Sequence, residues 1–256
     1  MNIKILVATH KPYWMPKDDV YLPIKLTREY NKELRLIGDD TGDNIAHKNI
    51  NYCELSAQYW AWKNLVCDYI GCCHYRRYFA KHNIFTNNLE KKRAAILNRQ
   101  DFEKLLQEYD VILPKKRNYF IETVRSQYEH AHNKHDLDEV EKIISEFYPN
   151  YSDAFNKVMG RTRLYILNMF VMKKDLLDKY FNWLFPILFE LEKRIDITSY
   201  NQYEARVFGY IAERLFNVWI EKEHLKIKEM PIVFLENRNW LKKITDFLER
   251  KFRCKK

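Results

Sequence analysis

Apolar residues come in short dense bursts along this chain, and most bursts end abruptly in polar or charged groups. Residues 3–9 (IKILVAT) and 69–73 (YIGCC) are near-continuous apolar runs, the pattern of strands covered on both faces. Between them, 34–40 (LRLIGDD) gives a shorter run that stops at two acids. Leu55, Tyr59, Trp62 and Val66 then recur at helical spacing, which predicts a helix over about 53–67 feeding into the second strand. Strand, helix, strand is the rhythm of a parallel sheet.

Downstream, residues 101–109 predict a helix capped by Asp101, and 110–114 (DVILP) a strand closed by proline. Residues 123–149 read as two helical pieces broken near Asn133, the second opened by Asp136 or Asp138. A β-type run at 165–174, helices over 175–194 and 200–221, and a last strand at 230–236 complete the pattern. No repeat, low-complexity tract or linker interrupts it. We expect one α/β domain over 1–235, with a mostly parallel central sheet and helical additions, followed by a distinct helix over 236–256.

That final segment has its own character. Trp240, Leu241, Ile244, Phe247 and Leu248 share one helix face, while Lys242, Lys243, Arg250, Lys251, Arg253 and Lys256 lie mainly elsewhere. Eight Lys and Arg against three acids in 236–256 supply five of the chain's net +9 charges. An interfacial helix meeting anionic headgroups has this pattern. An ordinary packing helix with a solvated basic end has it too.

Composition narrows the class. At 256 residues, with 46% hydrophobic and 15% aromatic content, five glycines and seven prolines, the chain holds a packed core and is not disordered. No apolar run approaches the roughly 20 residues of a membrane span, and the N-terminus lacks a small-residue cleavage site, so a cytoplasmic protein is expected. Cys53, Cys67, Cys72, Cys73 and Cys254 form an odd set with no C-x-x-C spacing. The first four read as core residues of a reducing compartment. The positive charge invites one alternative, a non-catalytic module binding nucleic acid or another polyanion. The chain lacks an RRM signature, finger spacing and an interleaved basic–aromatic strand set, so we expect no nucleic-acid partner.

Candidate chemistry gathers at strand ends, where open α/β sheets bind ligands. Thr9 and His10 follow the first strand, and Asp39 and Asp40 open the loop GDDTGDN (38–44). Plain turn chemistry also explains those acids, and their spacing misses a calcium loop. His74-Tyr75-Arg76-Arg77 ends the 69–73 strand. On an extended backbone His74 and Arg76 point to one side, Tyr75 and Arg77 to the other. Arginine there gives bidentate, charge-assisted bonds to phosphate oxygens, although a surface pair in ordinary salt bridges is a simpler role. Many sugar-nucleotide transferases place a metal-binding Asp-x-Asp at the comparable point. Here cationic side chains would do that work directly, so no metal cofactor is expected; Mg²⁺ or Mn²⁺ on the acidic loop is the other option. His132 and His135 in EHAHNKH (129–135) suggest a metal site that the break at Asn133 weakens. Arg206 and Glu213, seven apart on an apolar stretch, either pair inward or free Arg206 for a diphosphate.

Several segments resemble a known family: IKILVATHKPYWMP (3–16), the stretch 37–64, IGCCHYRRYF (70–79), NMFVMKK (168–174) and RVFGYIAERLFNVW (206–219). It is a bacterial family of capsular and exopolysaccharide biosynthesis proteins, long catalogued as a domain of unknown function and now regarded as glycosyltransferases. The resemblance implies a GT-A-like fold and transfer of a sugar from a nucleotide donor, with UDP-galactofuranose one such donor, onto a growing glycan. On this basis we expect a hexosyltransferase, peripheral on the inner face of the plasma membrane, extending a lipid-linked oligosaccharide. Donor contacts are expected from Thr9, His10, Asp39, Asp40, Arg77, Asn168 and Arg206. His74 and Arg76 would stabilise the departing diphosphate. Asp196, between two helices, would take the acceptor proton if the reaction inverts.

Overall fold

A computed structural model describes residues 1–26 and 34–236. β1 (Ile3–Thr9) lies inside the main sheet, parallel to β2 (Tyr21–Lys25) on one side and β4 (Tyr69–His74) on the other. β3 (Ile37–Gly38) extends the sheet beyond β2, also in parallel. On the far side of β4, the antiparallel β9 (Phe170–Lys173) leads to β6 (Val111–Pro114) and then to β10 (Ile227–Met230). β5 (Arg77–Phe79) folds back against β4 and pairs with β11 (Ile232–Phe234). A separate pair, β7 (Arg117–Asn118) with β8 (Arg163–Leu164), stands off the sheet. Because β9 runs against both neighbours, β1, β4 and β6 all end at one edge.

Strand alternation divides the core in two. Leu6, Ala8, Ile70, Cys72, Phe170 and Met172 face one way. They pack on α2 (Leu55–Asn64), α8 (Lys174–Arg194) and α9 (Val207–Glu223), behind which lie α6 (Lys134–Phe147) and α7 (Ser152–Met159). Ile5, Val7, Cys73, Ile112 and Val171 face the other way, toward Tyr78, Phe79 and the Phe102 and Leu106 of α4 (Arg99–Glu108). The remaining helices are α1 (Asn49–Tyr52), α3 (Leu89–Ala94) and α5 (Val124–Ala131). No described helix is long and apolar enough to cross a membrane.

Several expectations need correction. The helix expected over 53–67 is shorter, α2 alone, which ends at Asn64; the separate turn α1 precedes it, parted from it where Cys53 takes a φ of 54°. Asn98, not Asp101, caps α4; Asp101 answers it from the third position in a reciprocal capping box. Asn133 opens α6, since its side chain reaches the His135 N–H, while Asp136 is buried against the Tyr200 hydroxyl. Residues 200–206 stay outside α9, and the 165–174 run is strand only from Phe170. Apart from Glu236, the helix expected over 236–256 lies outside the described residues.

Candidate functional site

The end of β4 is where the candidate chemistry collects. Tyr75 and Arg76 make a tight turn, and His74 pairs directly with Arg77 across the β4–β5 ladder. Opposite residues of an antiparallel pair share a face. The extended alternation expected for 74–77 therefore fails, and it is His74 and Arg77 that stand together. Tyr75 is 1% exposed, with His10 and Tyr13 edge-on to its ring at 5.4 and 4.9 Å. Arg76 turns outward, 5.1 Å over the Tyr75 ring and 3.2 Å from the Glu236 carboxylate. The two arginines diverge.

Arg77 is half-buried, and its guanidinium makes no hydrogen bond or ion pair among the described residues. Burial lowers its pKa, and the fields of Glu54 and Glu213 act against that shift. Glu54 immediately precedes α2 and accepts from Asn168 Nδ2 at 3.2 Å. Glu213, on α9, accepts from the Leu167 N–H at 2.8 Å and from Arg214 at 3.2 Å. Burial raises the Glu213 pKa from its usual value. Burial, with Arg77 and Arg76 alongside, pushes the His74 imidazole down to about 2, so the ring is neutral. Its Nδ1 accepts weakly from the Arg76 N–H at 3.4 Å, which leaves the proton on Nε2.

Backbone strain surrounds this group. Leu167 and Asn168 take φ values of 85° and 48°, and Cys53, next to Glu54, takes 54°. Such positions cost about 1–3 kcal/mol each and persist where the surroundings fix them. Here Gln58 donates to the Asn168 carbonyl at 3.0 Å, and Asn168 Nδ2 also donates to the Gly209 carbonyl at 3.2 Å. The Asn168 main chain is thereby held through its carbonyl, and its side-chain Nδ2 is shared between Gly209 and Glu54.

The other expected residues divide. The Thr9 hydroxyl donates to the Lys11 carbonyl at 2.6 Å and shapes the loop after β1. Asp39 is fully buried and accepts from Ser56 Oγ at 2.6 Å, whereas Asp40 is exposed beside it. Arg206 donates to Cys53 Sγ at 3.1 Å, which sets it one residue from Glu54. It does not pair with Glu213. Arg206 sits at the N-cap of α9, and seven residues are two turns, about 10 Å of rise. Asp196 stands in an exposed turn after α8, its carboxylate accepting from the Thr198 N–H at 2.9 Å. That bond holds it below the usual carboxylate range, and it makes no contact with the His74–Arg77 group. His130 pairs with Glu122, and His132 stacks on Tyr203 and Tyr210. No three His, Cys, Asp or Glu side chains among the described residues are grouped to hold a metal ion.

Glu54 escaped the sequence reading because it lies in no motif. One signal was present: it is the lone acid between Asp43 and Asp68.

Comparison with known proteins bears on this geometry. The family described as "Domain of unknown function (DUF4422)" matches residues 4–224. No curated protein matches the chain. Among solved structures, the chain is similar to the apo structure of WbbM, a bifunctional glycosyltransferase, with a TM-score of 0.84 and 35% identity. The similarity covers 93% of this chain and 46% of that one, so the chain spans less than half of that neighbour. The fold is GT-A-like α/β, built on a mostly parallel central sheet.

Proposed function

The chain belongs to the DUF4422 family, and we propose that it is a glycosyltransferase moving a hexosyl group from a nucleotide-sugar donor to a growing glycan. One observation carries the reading: a half-buried Arg77, with no hydrogen bond or ion pair among the described residues, shares a face with His74 at the mouth of β4. A guanidinium whose donors are unused in such a place calls for an anion, and a diphosphate matches its planar fork. The likeness to a bifunctional glycosyltransferase supports the same class, since a chain spanning 46% of it is long enough for one activity.

The donor's diphosphate lies against Arg77, with the His74 Nε2–H donating to a phosphate oxygen. As the glycosidic C–O bond breaks, negative charge grows on the departing nucleoside diphosphate, and these donors stabilise it without rearranging. No metal is needed for that step. Arg76 contributes through its backbone N–H, which orients His74. The nucleoside extends toward Thr9, His10, Asp39 and Asp40, at the ends of β1 and β3. Glu54, rather than Asp196, accepts the proton of the attacking hydroxyl in an inverting transfer: its charge acts on Arg77, and its second oxygen takes no hydrogen bond among the described residues. Asn168 aims that carboxylate, and Arg206 borders the donor from the Cys53 side. The sequence resemblance favours a UDP donor, UDP-galactofuranose among the options. It also favours a lipid-linked capsular or exopolysaccharide acceptor at the inner membrane face.

A thermal-shift panel of UDP and UDP-sugars, run with and without EDTA, tests this directly, since ligands of the folded form raise its apparent stability. A UDP-sugar is expected to stabilise the wild type, EDTA to leave the shift unchanged, and Arg77→Ala to abolish it. Failure of every nucleotide to bind the wild type overturns the reading. A shift lost in EDTA overturns its metal-free form.

A further inference from the structure

We propose that the turn carrying Phe120 and Ile121, with the cations beside it, is a docking surface for an anionic lipid bilayer. β6 ends at the same sheet edge as β4, and from there the chain runs through Lys115 and Lys116 into β7 and then this turn. Phe120 is 78% exposed and Ile121 74%. Their exposure is built in. The Tyr119 N–H donates to the Thr162 carbonyl at 2.8 Å and the Val124 N–H to the Arg161 carbonyl at 2.7 Å, so both stems are tied to one segment. Phe120 takes a φ of 61°, rare for an aromatic residue, and its N–H is fixed by Asn118 Oδ1 at 2.9 Å.

The ground beside this apolar pair is cationic. Lys115, Lys116, Arg161 and Arg163 line a shallow concavity of about 810 Å³. Arg161 is neutralised by Glu221. Lys115, Lys116, Arg117 and Arg163 make no ion pair among the described residues; Lys116 and Arg117 only stand over the Tyr165 and Tyr119 rings. The acids nearby are engaged: Glu229 accepts from the Tyr165 hydroxyl, and Glu122 pairs with His130.

A soluble phosphate would use the cations and leave Phe120 and Ile121 in water. A bilayer uses both, since apolar side chains enter the acyl boundary while lysines and arginines meet headgroup charge. The β7–β8 pair ties the turn to the proposed active site, because the chain leaving β8 runs directly to Leu167 and Asn168, which bond Glu213 and Glu54. A lipid-carried acceptor would thus arrive at the catalytic edge. Only this last consequence rests on the glycosyltransferase reading.

Co-sedimentation of the full chain with phosphatidylcholine vesicles, with or without roughly one-third phosphatidylglycerol, reads the interaction without donor or acceptor. Wild type is expected to prefer the anionic vesicles. Lys115→Glu/Lys116→Glu should weaken that binding by at least about fivefold per lysine. Phe120→Ser/Ile121→Ser should weaken it about tenfold or more, with circular dichroism and the UDP-induced thermal shift unchanged in both. Undiminished binding of both double variants overturns the proposal, as does wild-type indifference to phosphatidylglycerol or full displacement by millimolar pyrophosphate. Loss of the UDP shift in the wild type would instead count against the glycosyltransferase reading.

Discussion

His74 and Arg77 face each other across a single antiparallel pair, with only Tyr75 and Arg76 between them in the chain. The turn sends Tyr75 into the core and Arg76 to the surface, and leaves His74 and Arg77 together on one face. Two adjacent arginines are therefore not equivalent. Arg77→Ala, which also loses donor binding, is expected to lower kcat/KM by at least about 10²–10³-fold, the loss typical of removing one preorganised donor to developing charge. Arg76→Ala removes an exposed ion pair and keeps the backbone N–H that His74 uses, so steady-state turnover should change no more than about fivefold.

Glu54→Gln keeps the hydrogen bond from Asn168 and removes the base. Turnover is expected to fall about 10²–10⁴-fold while the UDP-induced thermal shift is retained. Asp196→Asn, in its exposed turn, should leave turnover near wild type. The reverse pattern in the two variants would move the base to Asp196.

Two half-buried imidazoles set a pH dependence of stability. Burial, then nearby arginine charge, pushes His74 down to about 2 and His132 to about 3 from an ordinary 6.5. Between those values and 6.5 the unfolded chain binds protons that the folded chain refuses. Stability is thus complete above about 6.5 and declines as pH falls, by up to about 1.4 kcal/mol per pH unit for each histidine. Urea titrations of wild type and His132→Phe between pH 7 and 4 should show the shallower decline in the variant.

At Gly71, β4 and β9 leave no room for a side chain. A Cβ there would lie 2.7 Å from the Phe170 carbonyl oxygen and 2.7 Å from Val171 Cγ2. Backbone must shift to admit it, so Gly71→Ala should cost roughly 1–3 kcal/mol in denaturant unfolding.

Much of this architecture is legible in the chain. β1, β4 and α8 follow from apolar runs and helical spacing, and the strand-end rule points to residues 74–77 before any coordinates. β2 is hidden by Pro23, which argues against an interior strand. The sheet admits it because Leu26 donates to Thr9, so by alternation the Pro23 nitrogen faces the β3 side, where pairing involves only Ile24 and Lys25. The site itself was half legible. Residue types announce Arg77 and His74, but their shared face depends on a turn that periodicity cannot see. Glu54 and Glu213 reach Arg77 only through tertiary packing of α2 and α9, and no local pattern encodes that.

The two-residue turn also makes this corner of the sheet a matter of parity. Strand side chains have only two directions, so lengthening the turn by one residue would not loosen the guanidinium's aim by degrees. It would carry Arg77 to the opposite face, the side of Tyr78 with its neighbours Trp14 and Tyr21. Evolution can vary the neighbouring loops continuously, but this spacing it can only keep or abandon.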